Sequence, residues 1–203
     1  YIAGPSRAAV AKSPHLEALR ARGYEVLYML DPVDEFAIPG IGTYRDKSLI
    51  SALNADLEID KSEEEKERHG ERKAALRNLV DRIRAILQDR VEEVRLSTRL
   101  TDSPACLVVP DGGMGAHMER ILRSMDRDVP PTKRILEVNP SHPVIVNLGK
   151  LLARDRDSED LTDWANFLVD YVLLQEGRIE EPQRMVGALQ KMMTAASESA
   201  LQS

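Results

Sequence analysis

The feature that most constrains this 203-residue chain is a run with no apolar residue in it, Lys61-Ser62-Glu63-Glu64-Glu65-Lys66-Glu67-Arg68-His69-Gly70-Glu71-Arg72. Such a run contributes nothing to a core, so the burial that stabilises the fold is built on either side of it. The chain is therefore read in three parts: residues 1–60, the charged stretch 61–72 and residues 73–203. The stretch is a linker or the exposed start of the following helix. Glu and Lys at helical spacing support the second reading as well as polarity supports the first.

The first part alternates helical and extended signals. Ser13-Pro14 opens a short helix carrying Leu16 and Leu19, because Ser caps free amides and Pro suits the first helical position; Gly23 stops it. Tyr24 to Met29 reads as an apolar strand, Asp31-Pro32 as a turn, and Lys47 to Leu53 as a second extended stretch, giving a helix-on-sheet layer. Asp31, Asp34 and Glu35 suit turn and helix-start positions better than acid–base work.

The third part is mixed α and β. Leu76, Leu79, Val80, Ile83, Ile86 and Leu87 recur three and four apart and predict one helix face through about Asp89. Strands follow at Val91 to Leu96 and Ala105 to Val109, then a helix from about Gly115 to Met125 and a strand at Ile135 to Val138. From Asn139-Pro140 onward the pattern is helical. Gly177 closes the middle of three helices and Glu181-Pro182 opens the last.

With 42% hydrophobic and 31% charged residues the composition is that of a globular protein, and with 4% aromatic residues the core must be aliphatic. A net charge of -6, with Arg and Glu interleaved, argues against a nucleic-acid partner, which needs a clustered basic face. The single cysteine, Cys106, excludes an internal disulfide and makes the reducing cytoplasm the expected compartment. No apolar run reaches the roughly 18 residues that span a bilayer, and no membrane partner is expected. Tyr1, followed by Ile2-Ala3-Gly4, reads like mid-domain sequence, so the chain is expected to be cut from a longer one.

Few constellations suggest chemistry. Asp111-Gly112-Gly113-Met114-Gly115 lies between a strand and a helix, where helix amides bind phosphate, but it has neither the dinucleotide spacing nor a Gly-Lys-Ser/Thr; a flexible hinge fits it better. His15, His69, His117 and His142 are scattered without metal-site spacing, and Cys106 sits in an apolar strand where an inert thiol is expected.

Two apolar stripes are less ordinary. Met114, Met118, Ile121, Leu122 and Met125 lie along one helix behind the glycine-rich segment, and core packing and an exposed binding surface suit them equally, since Met favours adaptable surfaces. Trp164, Leu168, Val172, Met185, Leu189 and Met192 form the second, each worth roughly 1.5 to 3 kcal/mol if fully buried. They pack back on their own module or join a second copy in a four-helix bundle about a two-fold axis.

Several strings in order now carry a resemblance: Ser13-Pro14-His15-Leu16-Glu17-Ala18-Leu19, Gly23 to Met29, Asp31-Pro32-Val33-Asp34-Glu35-Phe36, Arg99-Leu100-Thr101-Asp102-Ser103-Pro104-Ala105, Met118-Glu119-Arg120-Ile121-Leu122 and Leu136 to Pro143. Together they resemble the C-terminal third of the heat-shock protein 90 chaperones of the bacterial HtpG type, from Tyr1 to about Met193.

The resemblance implies an α+β architecture. Residues 1–60 would be a small α/β/α subdomain closing the middle domain, and residues 73–203 a mixed α/β dimerization domain whose last helices form a four-helix bundle across the dimer. It further implies a homodimeric, ATP-driven cytoplasmic chaperone acting on unfolded or partly folded clients. ATP and Mg belong to the parent protein upstream, so no cofactor and no catalytic residue is expected in this chain. Client contacts map to Met114, Met118, Ile121 and Leu122, and the dimer seam to the Trp164 to Met192 stripe. A second client patch maps to Phe36, although Pro39-Gly40 departs from the family's usual continuation. The ending Ser-Glu-Ser-Ala-Leu-Gln-Ser is unlike the acidic pentapeptide that recruits helical-repeat co-chaperones. The alternatives are a purely architectural dimer module and a nucleotide-binding enzyme using Asp111 to Gly115.

Overall fold

In the computed structural model, which describes residues 1–57, 59, 62–125, 132–179 and 182–201, the chain opens with β1 (Ile2–Ala3), α1 (Arg7–Ala11), a 3-10 turn at Pro14–Leu16, α2 (Glu17–Ala21) and β2 (Tyr28–Met29). β1 and β2 pair in parallel, Ile2 beside Tyr28, and Ile2, Val10, Leu16 and Ala52 form a small core. The expected strand at Tyr24 to Met29 is shorter than its apolar run. Its first residue closes α2 instead: the Gly23 amide donates to Arg20 O and the Tyr24 amide to Leu19 O, with Gly23 at φ +72°.

Next come α3 (Asp34–Ile41), β3 (Thr43–Tyr44) and β4 (Lys47–Ser48). Asp31 accepts from the Val33 amide and Asp34 from the Asp31 amide, so the acidic group does turn and helix-start duty. Helix α3 was not legible, because Pro39 and Gly40 sit inside it. Of the extended stretch at Lys47 to Leu53, only Lys47–Ser48 is strand, antiparallel to Thr43–Tyr44 through Arg45 and Asp46, both at positive φ.

The charge run is helical where it is described. Ser62 Oγ accepts from the Glu65 amide at 3.2 Å while Glu65 Oε2 accepts from the Ser62 amide at 2.9 Å, a reciprocal cap for the free amides of α4 (Glu63–Leu87). Lys61 lies outside the described residues. The exposed first half of α4 continues into a half whose Leu79, Val80, Ile83 and Leu87 are buried.

Then follow β5 (Glu93–Leu96), β6 (Ala105–Val108), α5 (Ala116–Ser124), β7 (Ile135–Val138), α6 (Pro143–Arg154), α7 (Glu159–Gln175) and α8 (Pro182–Leu201). Glu181, expected at the start of α8, is outside the described residues. β7 is central, parallel to β5 and antiparallel to β6. Alternation along β7 gives each face its own core. Leu136 and Val138 pack with α4, α6 and α7, while Ile135 joins Cys106, Val108, Leu100 and Ala55 on the other side. Both faces are covered, which is why β6 and β7 read as nearly continuous apolar runs.

Segment 52–55 covers the second face and is fastened by charge. Arg99, buried beneath it, donates to Ala52 O at 2.8 Å and Asn54 O at 2.8 Å, and Arg95 donates to Ala55 O. Both arginines pair with Glu137 of β7. Glu17 of α2 adds a second fastening by accepting from the Thr101, Asp102 and Ser103 amides. The chain is thus mixed α and β, and among the described residues no helix is long and apolar enough to cross a membrane.

Candidate functional site

The Met-bearing helix α5 emerges from β6 through a turn whose glycines have structural duties. Gly112 holds φ +70°, and a Cβ on Gly113 would stand 2.8 Å from Val109 Cγ1 and 3.0 Å from Pro110 O. The Gly113 amide donates to Pro110 O within the turn itself. Gly115 caps α5 in extended conformation, without a side-chain cap.

Helix α5 is held down by a buried carboxylate. Glu119 is 1% exposed, and its two oxygens face two arginines, Oε1 to Arg134 at 3.0 Å and Oε2 to Arg178 at 3.0 Å. Arg134, itself 4% exposed, also donates to Met114 O at 2.9 Å. Arg178, just past the α7 terminus, pairs with Glu176, and Arg120 of α5 donates to Glu176 O. Burial pushes the Glu176 carboxyl up, with the facing Arg134 and Arg178 opposing it, and burial lowers Arg134. Helix α5 is thereby tied to the start of β7 and to the turn after α7.

Around the helix from that anchor, Met118, Ile121 and Leu122 are half-buried, as is Met114 before it, and Met125 is 62% exposed. None of these belongs to the apolar cores formed by the described residues. Phe36 is exposed on α3, together with Val33, Ile41 and Tyr44, while the buried Ile38 anchors that helix. Phe36 and the α5 stripe thus sit on two different elements.

The Trp164 to Met192 stripe divides by burial. Leu168 and Val172 are buried in the core that α7 shares with α4 and the sheet, and Met185 is buried on α8, so these three stabilise the single chain. Trp164 is half-buried, edge-on to Phe167 at 6.1 Å. Met192 is half-buried and Leu189 exposed; Val186, Met193 and Leu201 add further exposed apolar surface to α8. Lys191 of α8 pairs with Asp163 of α7 at 2.9 Å.

His142 caps α6 by accepting from the Val144 amide, His15 is buried beneath the first layer, and His117 is half-buried on α5. Among the described residues no group of three His, Cys, Asp or Glu side chains could hold a metal ion. Cys106 is buried, and burial with Glu137 opposite raises its thiol pKa well above the usual value.

Sequence reasoning missed Glu119, Arg134, Arg178, Arg99 and Glu137. The available signal was an acid inside an apolar pattern: Glu137 in the strand Ile-Leu-Glu-Val, and Glu119 between Met118 and Ile121.

The Hsp90 protein family model matches residues 1–202. The chain is 47% identical over 197 residues to the chaperone protein HtpG of Myxococcus xanthus, covering 96% of this chain and 30% of that protein. It is 42% identical over 204 residues to the chaperone protein HtpG of Geobacter sulfurreducens (98% and 31%), and 39% identical over 200 residues to that of Frankia casuarinae (97% and 31%). The chain therefore spans about a third of the length of the relatives it matches. With nearly every residue inside the family match and identities well above 30%, the chain belongs to the Hsp90 protein family.

Proposed function

We propose that this chain is the C-terminal part of an HtpG-type cytoplasmic chaperone, which pairs with a second copy through α7 and α8 and presents α5 to unfolded or partly folded client proteins. The observation that carries this reading is the setting of α5: a stripe of Met118, Ile121, Leu122 and Met125 outside every core of the described residues, on a helix fixed by the buried Glu119. A flexible apolar surface on a rigid mount suits ligands that share no sequence, because Met adapts to many shapes. Phe36 and its exposed neighbours on and around α3 supply the second patch in this reading.

The seam with the second copy forms from Trp164, Leu189 and Met192, extended by Val186 and Met193, with α7 and α8 of each copy making the four-helix bundle; Leu168, Val172 and Met185 lie beneath it as support. ATP binding and hydrolysis, with Mg, belong to other parts of the parent protein. The chain itself has no catalytic role in this reading.

Two measurements test the proposal. Light scattering at micromolar concentration is expected to give twice the chain mass, and Val186→Glu with Met193→Glu to give the single mass; a wild-type monomer overturns the pairing. Met118→Ser with Leu122→Ser is expected to weaken suppression of a denatured protein's aggregation at least severalfold while the dimer persists. Unchanged suppression with an intact dimer would leave an architectural module only.

A further inference from the structure

Among the described residues, six buried side-chain polar atoms have no hydrogen-bond partner, and four of them, His15 Nδ1, His117 Nδ1, His117 Nε2 and Arg134 Nε, belong to residues lining one cavity of about 530 Å³. Buried polar atoms are nearly always paired, so such a convergence marks a place where a partner fits. The volume lies within the roughly 300 to 1,000 Å³ of small-molecule sites. His15 and Arg134 are 3% and 4% exposed, so bulk solvent does not supply the missing bonds freely.

The chemistry of the walls selects the ligand. Arg134 Nε is an obligatory donor. Burial holds His15 at a pKa of about 3, helped by Arg99 and Arg134, and lowers His117, helped by Arg120. Both imidazoles are therefore neutral near pH 7, each with one N–H to donate. The cationic groups on the wall are Lys12, Arg120 and Arg134, the last already paired with Glu119, and its carboxylate, Glu176, is paired with Arg178. Donors and positive charge call for an anionic acceptor. Apart from Ser13 and Gln175 the rest of the lining, including Ile2, Val10, Leu53, Leu107 and Val172, is largely apolar and would remain uncovered by a bare inorganic anion.

We propose that this cavity binds a small amphipathic carboxylate, its head against Arg134 Nε and the imidazoles of His15 and His117, its apolar body along Val10, Leu53 and Val172. The site joins the first layer, α5 and the end of α7, so an occupant would brace all three. It stands on the cavity and its unpaired atoms and does not rest on the client reading.

The test uses octanoate as probe, with octan-1-ol as its uncharged counterpart, titrated calorimetrically into the whole chain while the His15 and His117 ring signals are followed by NMR. Saturable binding of one octanoate per chain is expected, with both rings shifting and octan-1-ol binding at least tenfold more weakly. His117→Ala should lower octanoate affinity about tenfold with unchanged circular dichroism, and Leu53→Phe should block the apolar part of the cavity. Absence of saturable binding, binding that leaves both rings unmoved, or equal binding of acid and alcohol overturns the proposal. The wild-type titration decides this even if either variant fails to fold.

Discussion

Arg99 Nε donates to Glu137 Oε2 at 3.0 Å with the two side chains only 2% and 3% exposed, on the sheet face turned toward segment 52–55. A buried ion pair by itself is a weak source of stability, since desolvation offsets attraction. Here the remaining valences are filled as well: Ser97 Oγ donates to Glu137 at 2.8 Å, Arg95 takes the other carboxylate oxygen, and Arg99 reaches three backbone carbonyls of the covering segment. The pair acts as a clasp between the sheet and residues 52–55.

Glu137→Gln leaves the buried Arg99 unanswered, and Arg99→Met leaves the buried Glu137 with Arg95 in place of two arginines. Glu137→Gln and Arg99→Met are each expected to cost about 3 to 5 kcal/mol in urea unfolding, and the double variant distinctly less than the sum. Additive costs would contradict the clasp.

Glu119 makes a parallel prediction for α5. Glu119→Gln removes the charge that answers Arg134 and Arg178, so α5 loses its mount while its apolar stripe is untouched. Hydrogen exchange should quicken at least tenfold in α5 with little change in the α4 amides of Leu79 to Leu87. Equal acceleration in both helices would mean that the anchor serves global stability alone.

His15 gives the fold a pH dependence with a defined sign. Its pKa is about 3 in the folded chain and 6.5 as an ordinary imidazole, so between those values the unfolded chain binds a proton that the folded chain refuses. Stability is fully present above pH 6.5 and falls by about 1.4 kcal/mol per pH unit below it, until the folded pKa is reached. From pH 7 to pH 5 the wild type should therefore lose about 2 kcal/mol more than His15→Gln in urea titrations. Parallel losses would show that His15 is charged or solvated in the fold.

Much of the second half was legible because its periodicities are clean. Ile135 to Val138 coincides with β7, and the stripe from Leu76 to Leu87 marks the buried half of α4. The first half was less legible. Its strands are two residues long and held by tertiary bonds such as Tyr1 to Ile50 O and Ala52 to Tyr1 O, which leave no local pattern. Nor did the apolar stripe on α7 announce which way it faces. Burial of Leu168 and Val172 depends on α4 and the sheet, elements far away in sequence, and the same spacing suits an outer seam. The ion clusters were illegible for a similar reason: Glu119 meets Arg178 across 59 residues and Glu137 meets Arg99 across 38.

The most direct measurement is methyl NMR of the chain with 13C-labelled methionines, titrated with a protein held unfolded. The seven Met methyls divide by position, with Met114, Met118 and Met125 along the α5 stripe and Met185 buried on α8. The three α5-stripe methyls are expected to shift or broaden on addition of the unfolded protein while Met185 stays fixed. Perturbation that spares all three, or that falls on Met185 and the α8 methyls alone, would contradict client contact through α5.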